Sequence, residues 1–163
     1  MILMAHCGIT LDISSLQPPF RRVGDDVVED ACGTRVVLSR GVREFLASAR
    51  KLGLIVASLS WNDPTIALEA IEAFGLNCLF DEHFIEPHPR KGEVMARALK
   101  ILSEKLGVRL KPESIVYIDY RDIHIGETKE KVGNVLFLQA WRDFKDFSEA
   151  CKLIASRISL EEQ

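Results

Sequence analysis

Short apolar runs that alternate with helical patterns are the feature that most constrains the fold of this chain. Helical spacing of apolar residues marks the segments 42–52, 66–74, 94–106 and 144–158. Between and before these segments lie the apolar runs Ile2 to Ala5, Leu54 to Ser58, His83 to Ile85, Ser114 to Ile118 and Val135 to Leu138. Alternation of this kind is typical of parallel strands that helices cover on both faces. The pattern therefore predicts an α/β, three-layer Rossmann-like fold with a five-stranded parallel sheet.

One segment, residues 12–38, departs from this alternation. The sequence Gln17-Pro18-Pro19-Phe20 predicts a loop, and Val27 to Glu29 and Thr34 to Leu38 flank a turn at Gly33. We interpret residues 25–38 as a β-hairpin flap. Because the flap interrupts the first β-to-α connection, we expect it to overhang the carboxyl edge of the sheet, where ligands bind in folds of this class. We interpret the whole chain, residues 1–163, as a single domain that includes the flap and has no large cap domain.

Composition excludes several classes of partner. The chain has 163 residues and a net charge of −3, and its basic residues are scattered, so nucleic acid is not an expected partner. No apolar run reaches the ~18 residues that a membrane span needs, and we expect no membrane contact. The four cysteines show no C-x-x-C spacing, which is typical of core residues in a reducing, cytoplasmic compartment: Cys7, Cys32, Cys78 and Cys151.

Polar residues follow the predicted strands. Lys91, with Arg90, opens a helix, where a bound phosphate would offset the unfavourable macrodipole; the alternative is that both side chains reach solvent. Ser58 is either a second ligand of that anion or a small turn residue. Asp119 follows an apolar strand, and its carboxylate suits Mg²⁺, with helix capping as the competing role. The same edge also carries His6, Cys7, Gly8, Ser60, Trp61, His88, Tyr120 and Asp122.

Taken together, these residues resemble the haloacid dehalogenase (HAD) superfamily, in particular its magnesium-dependent acid phosphatase branch. The likeness covers nearly the whole chain, and its more specific parts are the Pro-Pro-Phe loop and the flap. The resemblance implies that Ser58, Lys91 and Asp119 correspond to the superfamily's second, third and fourth motifs. It also implies that Asp122 acts as a weak metal ligand, since Tyr120 occupies the second acidic position of the fourth motif.

The first motif departs from the superfamily pattern D-x-D-x-T. With Thr10 on the threonine of that motif, His6 stands at the nucleophile and Gly8 at the acid/base carboxylate. In the superfamily the first carboxylate attacks phosphorus and the second protonates the leaving group. With Asp119 as the one firm anionic ligand, we expect Mg²⁺ to bind weakly. Nucleophile and acid act as a unit, so we expect most of the hydrolytic rate to be lost.

Two functions follow as hypotheses. The first is a phosphatase-like protein that lacks aspartyl-phosphate catalysis and keeps Ser58, Lys91 and Asp119 either as an anion pocket or merely as scaffold. It would work by binding a phosphorylated small molecule, a phosphorylated protein or another protein. The second is an active phosphatase that uses an altered nucleophile, either His6 or Asp12, or a transition metal held by His6, Asp119 and His124. For the first, we expect the His6 imidazole to bond Asp119 in the vacated metal site. The sequence leaves monomer and homodimer open.

Overall fold

A computed structural model describes residues 2–5, 13 and 15–161, and its main sheet has five parallel strands. The strands are β1 (Ile2–Ala5), β5 (Ile55–Trp61), β6 (Glu82–Glu86), β7 (Ile115–Asp119) and β8 (Leu136–Gln139). Their spatial order is β6-β5-β1-β7-β8, so the chain reverses its winding direction at β1. The α/β class is confirmed. The reversal lies at β1, between β5 and β7, and in sheets of this kind ligands bind at the carboxyl ends of the strands beside such a reversal.

Helices cover both faces of this sheet. They are α1 (Val42–Lys51), α2 (Pro64–Ala73), α3 (Lys91–Leu106), α4 (Ile125–Lys131) and α5 (Phe147–Glu161). One buried cluster joins Val56, Val116 and Ile118 of the sheet to α1, α2 and α5. A second joins alternate residues of the same strands, including Ala57 and Tyr117, to α3 and α4. Alternation along each strand therefore decides which helical layer a side chain meets.

Local signals explain where α2 begins. The side chain of Asp63 accepts hydrogen bonds from the backbone N–H groups of Thr65 and Ile66, at 2.9 and 3.2 Å, and Pro64 occupies the first helical position. An acidic cap followed by proline is a strong signal for the start of a helix. The carboxylate accepts hydrogen bonds from unpaired amides of the first turn, and proline has no N–H that would need a partner there. The helix ends before Gly75, which has a positive φ of 66°.

The flap is larger than the sequence indicated. It is a three-stranded antiparallel sheet of β2 (Arg21–Gly24), β3 (Val27–Glu29) and β4 (Arg35–Val37), in that order, and not a two-stranded hairpin over residues 25–38. Every residue of β2 is exposed, so no apolar alternation announces it in the sequence. Val28 and Val36 pack into the first buried cluster, which ties the flap to the body of the protein.

Two further boundaries differ from the sequence interpretation. Strand β5 runs on to Trp61, because Leu59, Ser60 and Trp61 pair with β6 in the parallel ladder. Helix α5 begins at Phe147, since Phe144 bridges to Ala140 in the preceding loop. No helix of the described residues is long and apolar enough to cross a membrane.

Candidate functional site

A buried ion pair joins Lys91 to Asp119 at the carboxyl edge of the sheet. Lys91 is the first residue of α3 and Asp119 the last of β7. The lysine Nζ lies 2.5 Å from Oδ2 of the carboxylate, and the two side chains are 2% and 1% exposed. Charges are buried this deeply only when they are paired. The expectation that the Lys91 side chain reaches solvent is therefore wrong, although Arg90 beside it is exposed and lies 3.6 Å from Glu93.

Two more donors converge on the same carboxylate. The hydroxyl of Tyr117, a fully buried residue of β7, donates to Oδ2 of Asp119 at 2.6 Å. The backbone N–H of Arg121 donates to Oδ1 at 3.2 Å. Burial, followed by the adjacent Asp119 carboxylate, raises the pKa of Tyr117 well above its usual range, so this hydroxyl stays protonated and remains a donor.

Close packing of α3 on α4 fixes the position of Lys91. A Cβ atom added at Gly92 would lie 2.9 Å from the backbone carbon and oxygen of Glu127. Only glycine permits this approach. The Glu127 carboxylate also accepts a hydrogen bond at 3.4 Å from the backbone N–H of Glu93, in the first turn of α3. An internal carboxylate therefore complements part of the positive end of this helix.

His124 and Trp61 lie beside the ion pair. His124 is 5% exposed, and its Nε2 has no hydrogen-bond partner in the described part of the chain. Burial, and after it the charge of Lys91, lowers the pKa of His124, which favours the neutral imidazole. The Trp61 ring at the end of β5 meets this imidazole edge-on, with 6.5 Å between ring centroids, and remains 42% exposed.

Ser58 is not brought to this pair. It lies between Ala57 and Leu59, whose side chains pack in the α3 layer, so its own side chain points to the opposite face of the sheet. There its hydroxyl lies 2.8 Å from Nδ1 of His83, and burial lowers the pKa of that histidine. The geometry thus separates the Ser58 hydroxyl from Lys91, and a phosphate-binding role for Ser58 stays a prediction.

The remaining predicted site residues are dispersed or lie outside the described residues. The Asp122 side chain is 61% exposed, and its carboxylate lies 3.8 Å from Arg142. The guanidinium carbon of Arg121 lies over the Tyr120 ring, 4.9 Å from the ring centroid. His88 donates from Nε2 to Glu86 at 2.5 Å, because its Nδ1 accepts from the backbone N–H of Arg90. Outside the described residues lie His6, Cys7, Gly8, Thr10 and Asp12.

The side chains described at this site do not provide the ligands of a tightly held Mg²⁺ ion. Mg²⁺ prefers several oxygen ligands in octahedral geometry. The carboxylate of Asp119 is already bonded to the ammonium of Lys91 and the hydroxyl of Tyr117 on one oxygen and to a backbone N–H on the other. Within residues 2–5, 13 and 15–161, no three His, Cys, Asp or Glu side chains form a group that could hold a metal.

The sequence patterns single out neither Tyr117 nor Glu127 as a neighbour of the ion pair. Tyr117 lies within an apolar run, but its position two residues before Asp119 puts both side chains on one face of β7. That alternation was the available signal. Glu127 lies on α4, whose mostly polar sequence gave no helical stripe, so its contact with the start of α3 had no signal in the sequence.

Comparison with solved structures identifies the fold. The chain superposes on a HAD-superfamily hydrolase from Ehrlichia chaffeensis with a TM-score of 0.58 and 17% identity, over 80% of this chain and 62% of that one. It superposes on a predicted phosphoglycolate phosphatase from Haemophilus somnus with a TM-score of 0.55 and 18% identity, over 76% of this chain and 59% of that one. An uncharacterized protein from Listeria monocytogenes serotype 4b matches over 98% of this chain and 99% of its own, with a TM-score of 0.61 and 13% identity.

These likenesses concern the fold alone, since all are below 25% identity. The chain spans 57% of a dehalogenase that it matches with a TM-score of 0.57, and 62% of the Ehrlichia hydrolase. No family model matches the sequence. No curated protein matches it either. The architecture therefore resembles that of the HAD-superfamily hydrolase, and a shared fold does not by itself show a shared function.

Proposed function

We propose that this protein is a phosphatase-like member of the HAD fold class that binds a phosphorylated ligand and does not hydrolyse it through an aspartyl phosphate. The Lys91–Asp119 pair carries the proposal, because it places a buried cation on the first residue of a helix at the ligand-binding edge. A lysine ammonium at that point is suited to an anionic phosphate oxygen.

The lack of efficient hydrolysis is argued from the sequence. Aligned on Thr10, His6 and Gly8 replace the two carboxylates that attack phosphorus and shuttle the proton. Glycine has no side chain to donate a proton, and an imidazole cannot form an aspartyl phosphate. Loss of groups that act as a unit removes most of a catalytic rate. Mg²⁺, if it binds, does so weakly on this proposal.

The partners follow from the same site. The ligand is a phosphorylated small molecule or a phosphorylated protein, and the chain works as a single domain over residues 1–163, as a monomer or a homodimer in the cytoplasm. Nucleic acid is not a partner on this proposal, since the net charge is −3 and the basic residues are scattered.

Turnover of an aryl phosphate tests this function. With Mg²⁺, Mn²⁺, Co²⁺, Ni²⁺ or Zn²⁺ in turn, we expect the protein to release no phosphate above the buffer rate. The double variant His6→Asp, Gly8→Asp is expected to gain Mg²⁺-dependent turnover, because it restores both carboxylates.

The control is the same double variant carrying Asp119→Asn, which should be inert again if the restored activity uses the site described above. Metal-dependent turnover by the unmodified protein that His6→Ala abolishes would contradict the proposal. It would instead establish the second hypothesis, an active phosphatase with an altered nucleophile or metal.

A further inference from the structure

We infer that Lys91 is the resident cation of this site, held on Asp119 with the help of Tyr117, and that anions bind there without a divalent metal. That an anion binds at this site rests on the proposed function. That Lys91 is the cation of the site does not, because it follows from the groups that donate to the carboxylate of Asp119. Tyr117 enters as a positioning residue.

The first step is the occupancy of Asp119. An ionised carboxylate offers about four lone-pair sites on two oxygens. Oδ2 accepts from the Lys91 ammonium at 2.5 Å and from the Tyr117 hydroxyl at 2.6 Å, so both of its sites are used. Oδ1 accepts from the backbone N–H of Arg121 at 3.2 Å. A divalent cation would have to displace Lys91 or share a carboxylate with it.

The second step is electrostatic. Lys91 and Asp119 are 2% and 1% exposed at the side chain, so little water screens the ammonium from a second cation. An ion bound to Asp119 would lie within a few ångströms of that ammonium and be repelled by it. The sequence offers no carboxylate at positions 6 and 8 to offset the repulsion.

The third step is the role of Tyr117. Its hydroxyl is fully buried and is kept protonated by burial and by the charge of Asp119, so it donates and never competes as a base. It lies two residues before Asp119 on the same face of β7 and fixes Oδ2 toward α3. Tyr117 thereby orients the carboxylate toward Lys91.

Titration with Mg²⁺ alone, followed by calorimetry and by the unfolding temperature, tests the cation. The unmodified protein should show no saturable Mg²⁺ binding. Lys91→Met should gain saturable binding by freeing Asp119, and adding Asp119→Asn to that variant should abolish the gain. Lys105→Met is the matched control, because Lys105 lies on the same helix and pairs with Glu82 at the surface; it should behave as the unmodified protein does.

Tyr117→Phe keeps the ring and the burial, so it carries the test if Lys91→Met does not fold. We expect it to gain saturable Mg²⁺ binding, which the unmodified protein lacks, since one donor to Oδ2 is lost. Saturable Mg²⁺ binding by the unmodified protein at an affinity equal to that of both variants would overturn the inference.

A second titration separates this inference from the proposed function. Orthophosphate should bind the unmodified protein equally well in EDTA and in Mg²⁺. Phosphate binding that appears only with Mg²⁺ would overturn the inference and leave the proposed function standing. Failure of phosphate to bind in either buffer would contradict the proposed function, and the Mg²⁺ titration would still decide which cation Asp119 holds.

Discussion

The Lys91–Asp119 pair buries two opposite charges at the carboxyl edge of the sheet. A buried ion pair gives little net stability, because the desolvation of both charges offsets their attraction. Removing one partner nevertheless costs about 3–5 kcal/mol, since it leaves an unpaired buried charge. The pair therefore adds little to the net stability of the fold, and Tyr117 is part of the same buried arrangement.

Asp30 is a buried carboxylate of the flap region that three backbone N–H groups satisfy. It is 6% exposed, and its carboxylate accepts backbone N–H groups from Gln17, Thr34 and Cys32 at 3.0, 2.7 and 2.9 Å. These bonds, that of Gln17 first, lower the pKa of Asp30 below 3.8. Because the pKa of Asp30 is lower in the folded than in the unfolded protein, the carboxylate stabilises the fold at pH values above 3.8. This stabilisation is lost as the pH falls through the folded pKa.

We therefore expect Asp30→Asn to unfold at lower denaturant concentration than the unmodified protein at neutral pH. The difference should shrink as the pH falls below 3.8. Urea unfolding over a pH series measures it. A difference that stayed constant across the series would show that the carboxylate charge of Asp30 does not stabilise the flap.

At the scale of the element, the approach of α3 to α4 sets where Lys91 lies. Gly92→Ala places a methyl group 2.9 Å from the backbone of Glu127, and backbone cannot move aside cheaply. We expect a loss of about 1–3 kcal/mol in the free energy of unfolding, together with weaker phosphate binding as Lys91 is displaced.

Gly126→Ala is the matched control, since Gly126 lies in α4 with nothing within 4 Å of an added Cβ. Alanine there should be neutral or stabilise the protein by up to ~1 kcal/mol. Urea unfolding of both variants provides the comparison. Equal stability of the two would mean that the α3–α4 contact is looser than described.

The elements that the sequence revealed are those with a buried face. Runs such as Ser114 to Ile118 predicted β7 to within one residue, because a strand covered on both faces is apolar throughout. Strand β2 was missed because all its residues are exposed, and α4 because it is short and mainly polar. Where packing does not select the residues, the sequence carries no periodic signal.

At the scale of the whole molecule, the sequence predicted that Lys91 and Asp119 lie at the carboxyl edge of the sheet, but not which side chains contact one another there. Lys91 and Asp119 were both predicted, because each follows or opens an element at the carboxyl edge. Their contact, and the separation of the Ser58 hydroxyl from them, depend on which face of the sheet each side chain occupies. That depends on strand register, which apolar runs alone do not fix.

The fold resembles that of a HAD-superfamily hydrolase at 17% identity and that of a predicted phosphoglycolate phosphatase at 18% identity. A shared fold hosts many chemistries, so the scaffold does not decide between binding and hydrolysis. The described site has a cation and a carboxylate paired with each other, and the sequence has His6 and Gly8 at the positions that the proposed function aligns with the first motif. Under the proposed function, the molecule binds a phosphorylated ligand at this edge and lacks the nucleophile that hydrolysis would need.

The most direct measurement is a crystal of the unmodified protein soaked with tungstate in EDTA, with the tungsten located by anomalous diffraction. The account predicts a tungsten peak at the carboxyl edge, with a tungstate oxygen within hydrogen-bond distance of Lys91 Nζ and the Lys91–Asp119 pair still in place. A peak elsewhere with that edge empty, or a peak that appears only when Mg²⁺ is added, would contradict it.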